Sequence, residues 1–406
     1  MTSRSPARRA RRIVVKVGSS ILTDAGRVRG RVFGELARQV AALAAERREV
    51  VIVSSGAIAI GSRTLGWSHP GRSIPEKQAA AAVGQIGLVE LYRRRFARHG
   101  REVAQVLVTR TDLEDRERFL NARHTLLALL GLGVVPIVNE NDTVATEEIR
   151  FGDNDNLSAT IVNLVGADLL VLLTDVEGLY ERPPVAGAPR PPLFGVVEAA
   201  SPLLDAAAQG SSHTFGRGGM TTKLEAARTA ARSGAATVVC SGRARDTLLR
   251  VAAGEAVGTL FLPGSRLASR KHWLAFTTKP RGALVLDPGA ARALREGGRS
   301  LLPAGVLEVR GKFGLGDPVS CLDAEGREIA RGLVGYAAED VARIRGRRTR
   351  EIQEVLGYSN GDEVIHRDDL VLVEDLPAAA PPARAAGPAG RDGSDGNDGS
   401  NGSERR

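Results

Sequence analysis

Val134 to Ser158 reads VVPIVNENDTVATEEIRFGDNDNLS, and the order of its parts decides the fold. The apolar run Val134-Val135-Pro136-Ile137-Val138 has the character of a strand buried on both faces of a parallel sheet. Directly after it come Asp142, Asp153 and Asp155, with the amides Asn139, Asn141, Asn154 and Asn156. Gly152 permits a tight turn between the two polar clusters. Asparagine and aspartate also serve ordinary caps and turns, so either cluster alone has a purely structural reading. Two such clusters straight after a core strand lie where open α/β sheets take their ligands, at the carboxyl ends of the strands. Asn139–Ser158 is therefore read as a ligand-binding loop.

Outward from this stretch, strands and helices alternate. Strands are expected at Arg12–Val17, Val50–Val53, Val103–Val108, Leu169–Leu173, Ala236–Cys240 and Gly258–Leu262, with a short one at Leu193–Val197. Helices are expected at Val32–Arg47, 76–98, Asp115–Gly131, Leu157–Leu164 and Leu224–Ser233. That alternation predicts a mainly parallel sheet with helices on both faces. Beyond Pro263–Thr278 the pattern changes to short strands with turns: Ala283–Asp287, Gly305–Gly311, Pro318–Asp323 and Glu328–Val334. A helix is expected near 289–296 and a helical segment over Glu339–Leu356. The expected organisation is a disordered basic arm over 1–11, a catalytic domain over 12–263, a linker over 264–278, a small β-rich domain over 279–375 and a disordered tail over 376–406.

Composition narrows the function. Of 406 residues, 43% are hydrophobic and 4% aromatic, so the cores are aliphatic. No apolar run reaches membrane-helix length, and the basic start is not followed by a signal-peptide apolar region. A cytoplasmic protein is expected, with Cys240 and Cys321 buried and reduced. The net charge of +9 is concentrated in the first twelve residues and the first large domain. Residues 276–375 carry 15 basic and 17 acidic side chains, which argues against a nucleic-acid surface there. Fifty arginines stand against six lysines. Such a chain keeps lysine where a compact ammonium is needed. Lys16 and Lys223 both sit beside glycine-rich junctions, VKVGSS and SSHTFGRGGMTTK.

Two lysines beside glycine turns, backbone N–H groups at helix starts and several aspartates at one sheet edge are the parts of phosphoryl transfer. No HExxH, CxxC or nucleophile-elbow pattern occurs, and the six histidines show no ligand-like spacing. A missing histidine base fits a carboxylate acceptor, which is already ionised near neutral pH.

The set VVKVGSS, VIVSSGAIAIG, RERFLNAR, NENDTVAT, FGDNDNLSA, LLTDVEGLY and GRGGMTTK, in order over about residues 12–370, resembles the glutamate 5-kinases of the amino-acid kinase family. The β-rich C-terminal region resembles the PUA domain. The resemblance implies an amino-acid kinase-type sandwich, with ATP and Mg²⁺ used to phosphorylate the γ-carboxylate of L-glutamate. The product would be L-glutamyl 5-phosphate, the first intermediate of proline biosynthesis, with proline as feedback inhibitor. It implies catalytic roles for Lys16, Lys223, Asp155 and Asp153. Glutamate binding falls to Ser55, Asn139, Asp142 and Asn154. ATP binding falls to Lys16, Thr174, Asp175, Arg217, Gly218, Gly219, Met220, Thr221, Thr222 and Lys223. No residue is assigned as a direct metal ligand. Arg217 stands where the family usually has a small polar residue. A homodimer or homotetramer is implied, and glutamate-5-phosphate reductase is a candidate partner.

Two other readings compete. One is an RNA-binding or regulatory protein, built on the PUA-like domain and Arg343, Arg345, Arg347, Arg348 and Arg350. The other is a related kinase acting on aspartate, N-acetylglutamate, carbamate or UMP.

Overall fold

A computed structural model of the chain describes residues 4–24, 27–145, 154–182, 184, 187–208, 219–263 and 280–373. Along the first part, the strands are β1 (Arg12–Val17), β2 (Thr23–Asp24), β3 (Arg27–Val28), β4 (Glu49–Ser54), β5 (Val103–Val108), β6 (Val135–Glu140), β7 (Leu169–Thr174), β8 (Val196–Glu198), β9 (Ala236–Ser241) and β10 (Thr259–Leu262). The helices are α1 (Ser5–Arg9), α2 (Ser19–Leu22), α3 (Gly30–Ala45), α4 (Ala57–Thr64), α5 (Ile74–Ala97), α6 (Arg110–Glu114), α7 (Arg116–Gly131), α8 (Asn154–Val165), α9 (Leu203–Ala208), α10 (Met220–Arg232) and α11 (Thr247–Ala252).

Eight strands form one sheet in the order β5-β6-β4-β1-β7-β9-β10-β8, and β2 pairs with β3 in a separate two-stranded ribbon. From β5 to β9 every pairing is parallel. β10 runs antiparallel to β9, and β8 is parallel to β10. The central strands β1, β6 and β7 are buried almost throughout, as their unbroken apolar runs require. Their two faces build two cores. Ile13, Val15 and Val17 pack with residues of α3, α5 and α11. Val14, Val51, Val53 and Leu170 pack with residues of α7, α8 and α10. β4 and β7 flank β1 on opposite sides, so connections leave β1 in both directions. Such a switch point opens a crevice at the carboxyl edge.

The second part holds a five-stranded sheet, β12-β11-β13-β14-β15, from β11 (Gly282–Leu286), β12 (Val306–Gly311), β13 (Pro318–Leu322), β14 (Glu328–Leu333) and β15 (Leu370–Leu372), with helices α12 (Pro288–Gly297), α13 (Ala338–Ile344) and α14 (Ile352–Leu356). Its own core includes Leu284, Leu286, Cys321, Tyr336 and Ile365. Cys240 and Cys321 are free and buried, as expected.

Two expectations are corrected, and one strand was not foreseen. Residues 5–9 are helical, not disordered. Pro6 starts α1, Ala7 and Ala10 are buried, and Arg4 donates to the carbonyls of Val257, Gly195 and Gly258. Glu339–Leu356 is two short helices rather than one, because Gly346 adopts φ +72° between them. β15, too short to stand out in the sequence, completes the second sheet. The expected linker and tail lie outside the described residues.

Candidate active site

Lys16 lies near the carboxyl end of β1, paired in register with Val53 and Leu172. Alternation along the strand puts it on the face of Val14, toward α8 and α10. It is only 8% exposed. An ammonium at that depth needs a partner, and its Nζ stands 2.6 Å from Asp155 Oδ1.

Asp155 occupies the first turn of α8, where a carboxylate complements the positive end of the helix dipole. It is 1% exposed. Its Oδ2 lies 3.2 Å from Lys223 Nζ and accepts from Thr222 Oγ1 at 2.9 Å. Burial pushes its pKa up, but Lys16 and Lys223 outweigh burial and hold it at about 2. Lys223 sits in the first turn of α10, whose N-cap is Gly219, and is 6% exposed. Two ammonium groups and one carboxylate leave this buried cluster with one net positive charge. The N-termini of α8 and α10 converge on it. Both features favour an anion with several oxygens, such as a phosphoryl group.

Beside the cluster a chain of amides closes the edge between β4 and β6. Asn154 Nδ2 donates to Ser54 O at 3.0 Å, Ser55 Oγ at 2.9 Å and Asn139 Oδ1 at 3.1 Å. Asn139 Nδ2 donates onward to Gln85 Oε1 at 3.0 Å. Ser54 Oγ and Tyr92 Oη are 2.9 Å apart in the core. Gln85 and Tyr92 belong to α5, which meets α4 with no room for side chains. A Cβ on Gly84 would fall 1.8 Å from Ala57 O, and one on Gly61 would fall 1.7 Å from Ala80 O. Only glycine permits this approach, and the approach brings Gln85 to the sheet edge.

The structure thus brings together Lys16, Asp155, Lys223 and Thr222 in one cluster, and Ser55, Asn139 and Asn154 in the amide network. Asn154 and Asp155 are consecutive in α8 and join the two groups. Thr174, 6% exposed, ends β7 at the same edge, and its Oγ1 donates to Asp175 at 3.1 Å. Asp142 follows β6 on that edge and is half-buried. The Met220 side chain belongs to the apolar core, so its backbone alone can serve a nucleotide, while Gly219 and Thr221 are exposed. Asp153, Arg217 and Gly218 lie outside the described residues. The sequence reading missed Gln85, Ser54 and Tyr92. A seven-residue spacing of Gln78, Gln85 and Tyr92 along the helix was the available signal. Among the described residues no group of three or more His, Cys, Asp or Glu could hold a metal ion. Asp155 is committed to its lysines, so these residues do not fit a resident metal site.

The family model described as the amino acid kinase family matches residues 11–241, and that of the PUA domain matches residues 282–356. The chain belongs to the amino acid kinase family, and it carries a PUA domain after the kinase domain. A protein named Glutamate 5-kinase from Ralstonia nicotianae is 52% identical over 92% of this chain and 100% of its own length. Proteins of the same name from Paraburkholderia xenovorans and Burkholderia cenocepacia are 53% and 52% identical, each over 90% of this chain and 98% of their own. The eight-stranded sheet with its converging lysines is accordingly that of a kinase. Among the described residues no helix is long and apolar enough to cross a membrane.

Proposed function

We propose that this kinase transfers the γ-phosphoryl group of ATP to the γ-carboxylate of L-glutamate, giving L-glutamyl 5-phosphate and ADP. The observation that carries the reading is the buried Lys16–Asp155–Lys223 cluster at the carboxyl edge, beside the amide network of Asn139 and Asn154. The names of the relatives support the acceptor.

In this reading Asp155 acts as a positioning residue. It spaces the two ammonium groups, without touching the phosphoryl group. Lys16 and Lys223 neutralise charge as the phosphoryl group moves, with ATP placed by Thr174, Asp175 and the start of α10. Ser55, Asn139, Asp142 and Asn154 hold the amino acid. The carboxylate acceptor is ionised, so no base is required and alignment supplies the rate. Mg²⁺ enters with ATP as part of the substrate and is assigned no protein ligand. The same reading carries an early step of proline biosynthesis with proline as inhibitor, and a dimeric or tetrameric enzyme.

The test is incubation with Mg-ATP and hydroxylamine, comparing glutamate with aspartate, N-acetylglutamate, carbamate and UMP. Glutamate-dependent hydroxamate is expected. Its absence, with turnover on another acceptor, would sink the reading.

A further inference from the structure

Three polar side chains face the carboxyl edge from α5. Gln78 Nε2 donates to Ala145 O at 3.3 Å, Gln85 Oε1 accepts from Asn139, and Tyr92 Oη meets Ser54 Oγ. Successive members are seven residues apart, about two turns, so they share one helix face. This face is the back wall of the amide network.

The direction of the hydrogen bonds sets the state of its last member. Asn154 directs its two Nδ2 hydrogens at Ser54, Ser55 and Asn139, with one hydrogen shared between two of these acceptors, and Asn139 directs an Nδ2 hydrogen at Gln85. Donors therefore run from Asn154 to Asn139 to Gln85, and the chain ends in the Gln85 amide nitrogen. Gln85 is 8% exposed, and its Nε2 is buried with no hydrogen-bond partner among the described residues. A buried amide donor without an acceptor is rare and costly in a folded protein. A ligand that brings an acceptor removes the cost on binding. Gln85 is neutral, and the Asn154 and Asn139 amide nitrogens already donate within the network. A carboxylate oxygen is the acceptor that gains most there.

We propose that Gln85 is a further specificity-determining residue, whose Nε2 donates to a carboxylate oxygen of the amino-acid acceptor while its Oε1 holds Asn139. This rests on the reading that the acceptor is a dicarboxylic amino acid.

Two variants separate the two halves of the residue. Gln85→Glu keeps an acceptor for Asn139 but replaces the donor with a negative charge. Gln85→Met removes both. The KM for L-glutamate rises roughly ten- to hundredfold in both, with the KM for ATP unchanged as a control on the fold. Calorimetric titration of glutamate into each protein without ATP reads the same loss apart from turnover. Three results overturn the proposal: an unchanged glutamate KM in both variants; a rise in Gln85→Met alone, which leaves Gln85 as a support for Asn139; or weakened ATP use equal to the weakened glutamate use. Wild-type protein inert toward glutamate in the hydroxamate assay would instead remove the reading beneath it, and the proposal with it.

Discussion

Asp155 Oδ1 stands 2.6 Å from Lys16 Nζ, although one residue begins a helix and the other lies in the central strand of the sheet. The opposite oxygen of the same carboxylate faces Lys223. One buried side chain thus spaces two ammonium groups contributed by β1 and α10.

Asp155→Asn keeps the shape and removes the charge, leaving two ammonium groups in a buried site. Breaking a buried pair in this way costs roughly 3 kcal/mol or more, and kcat is expected to fall on the order of a hundredfold or more. Urea unfolding and steady-state kinetics measure the two effects. A variant with wild-type stability and turnover would refute the role.

Acid provides a second handle on the same residue. The folded-state pKa of Asp155 is about 2, below its ordinary 3.8. A depressed carboxylate pKa stabilises the fold fully above the unfolded value and loses that contribution as pH falls through the folded value. About 2 kcal/mol of stability should disappear between roughly pH 4 and pH 2. In Asp155→Asn this part of the acid dependence should be missing. Superimposable acid profiles for the two proteins would contradict the assignment.

In the proposed reaction Lys223 acts on the moving phosphoryl group. Lys223→Ala should lower kcat by on the order of a hundredfold or more while changing glutamate binding little. Lys223→Arg should not restore it, since a planar guanidinium does not replace a compact ammonium in a buried site. An unchanged turnover number in the alanine variant would remove Lys223 from the mechanism.

Gly84→Ala places a Cβ 1.8 Å from Ala57 O and 2.4 Å from Gly61 N. Both contacts are backbone, so α4 and α5 must separate. A loss of about 3 kcal/mol is expected, with a raised glutamate KM because Ser55 precedes α4 and Gln85 follows Gly84. Thermal melting together with KM tests this. Wild-type values for both would show that the close approach is not needed.

Arg123 of α7 and Asp369, just before β15, form an ion pair with side chains 9% and 16% exposed. It ties the kinase sheet's helical layer to the segment leading into β15 of the second sheet. Asp369→Ala strands a buried guanidinium and should cost roughly 3 kcal/mol or more. The double variant Arg123→Met with Asp369→Leu should recover much of that loss. A double-mutant cycle with no coupling between the two positions would be the contrary result.

Much of the fold was legible because the buried strands announce themselves. Val134–Val138, Leu169–Leu173 and Arg12–Val17 have the apolar runs of a parallel sheet, and the structure places each in it. The scarcity of lysine pointed to Lys16 and Lys223, and the geometry brings both to one carboxylate. Other features were not legible because their signal is not local. The arginine-rich start reads as a solvated arm until Arg4 finds three backbone carbonyls. Asn154 and Asp155 read as loop residues by propensity, yet they begin α8, where the helix dipole favours the acid. Gln85 looks like any polar residue on a helix.

The sequence by itself determined the α/β class, the kinase resemblance and the residue types of the site, because periodicity, glycine turns and rare lysines are written along the chain. Tertiary structure alone decided which carboxylate is shared, since Asp155 meets Lys16 and Lys223 only after β1, α8 and α10 pack together. It also decided that Gln85 reaches the amide network of Asn139 and Asn154. Two glycines let α4 and α5 touch, and that contact carries an amide donor to the sheet edge and buries it there without a partner among the described residues.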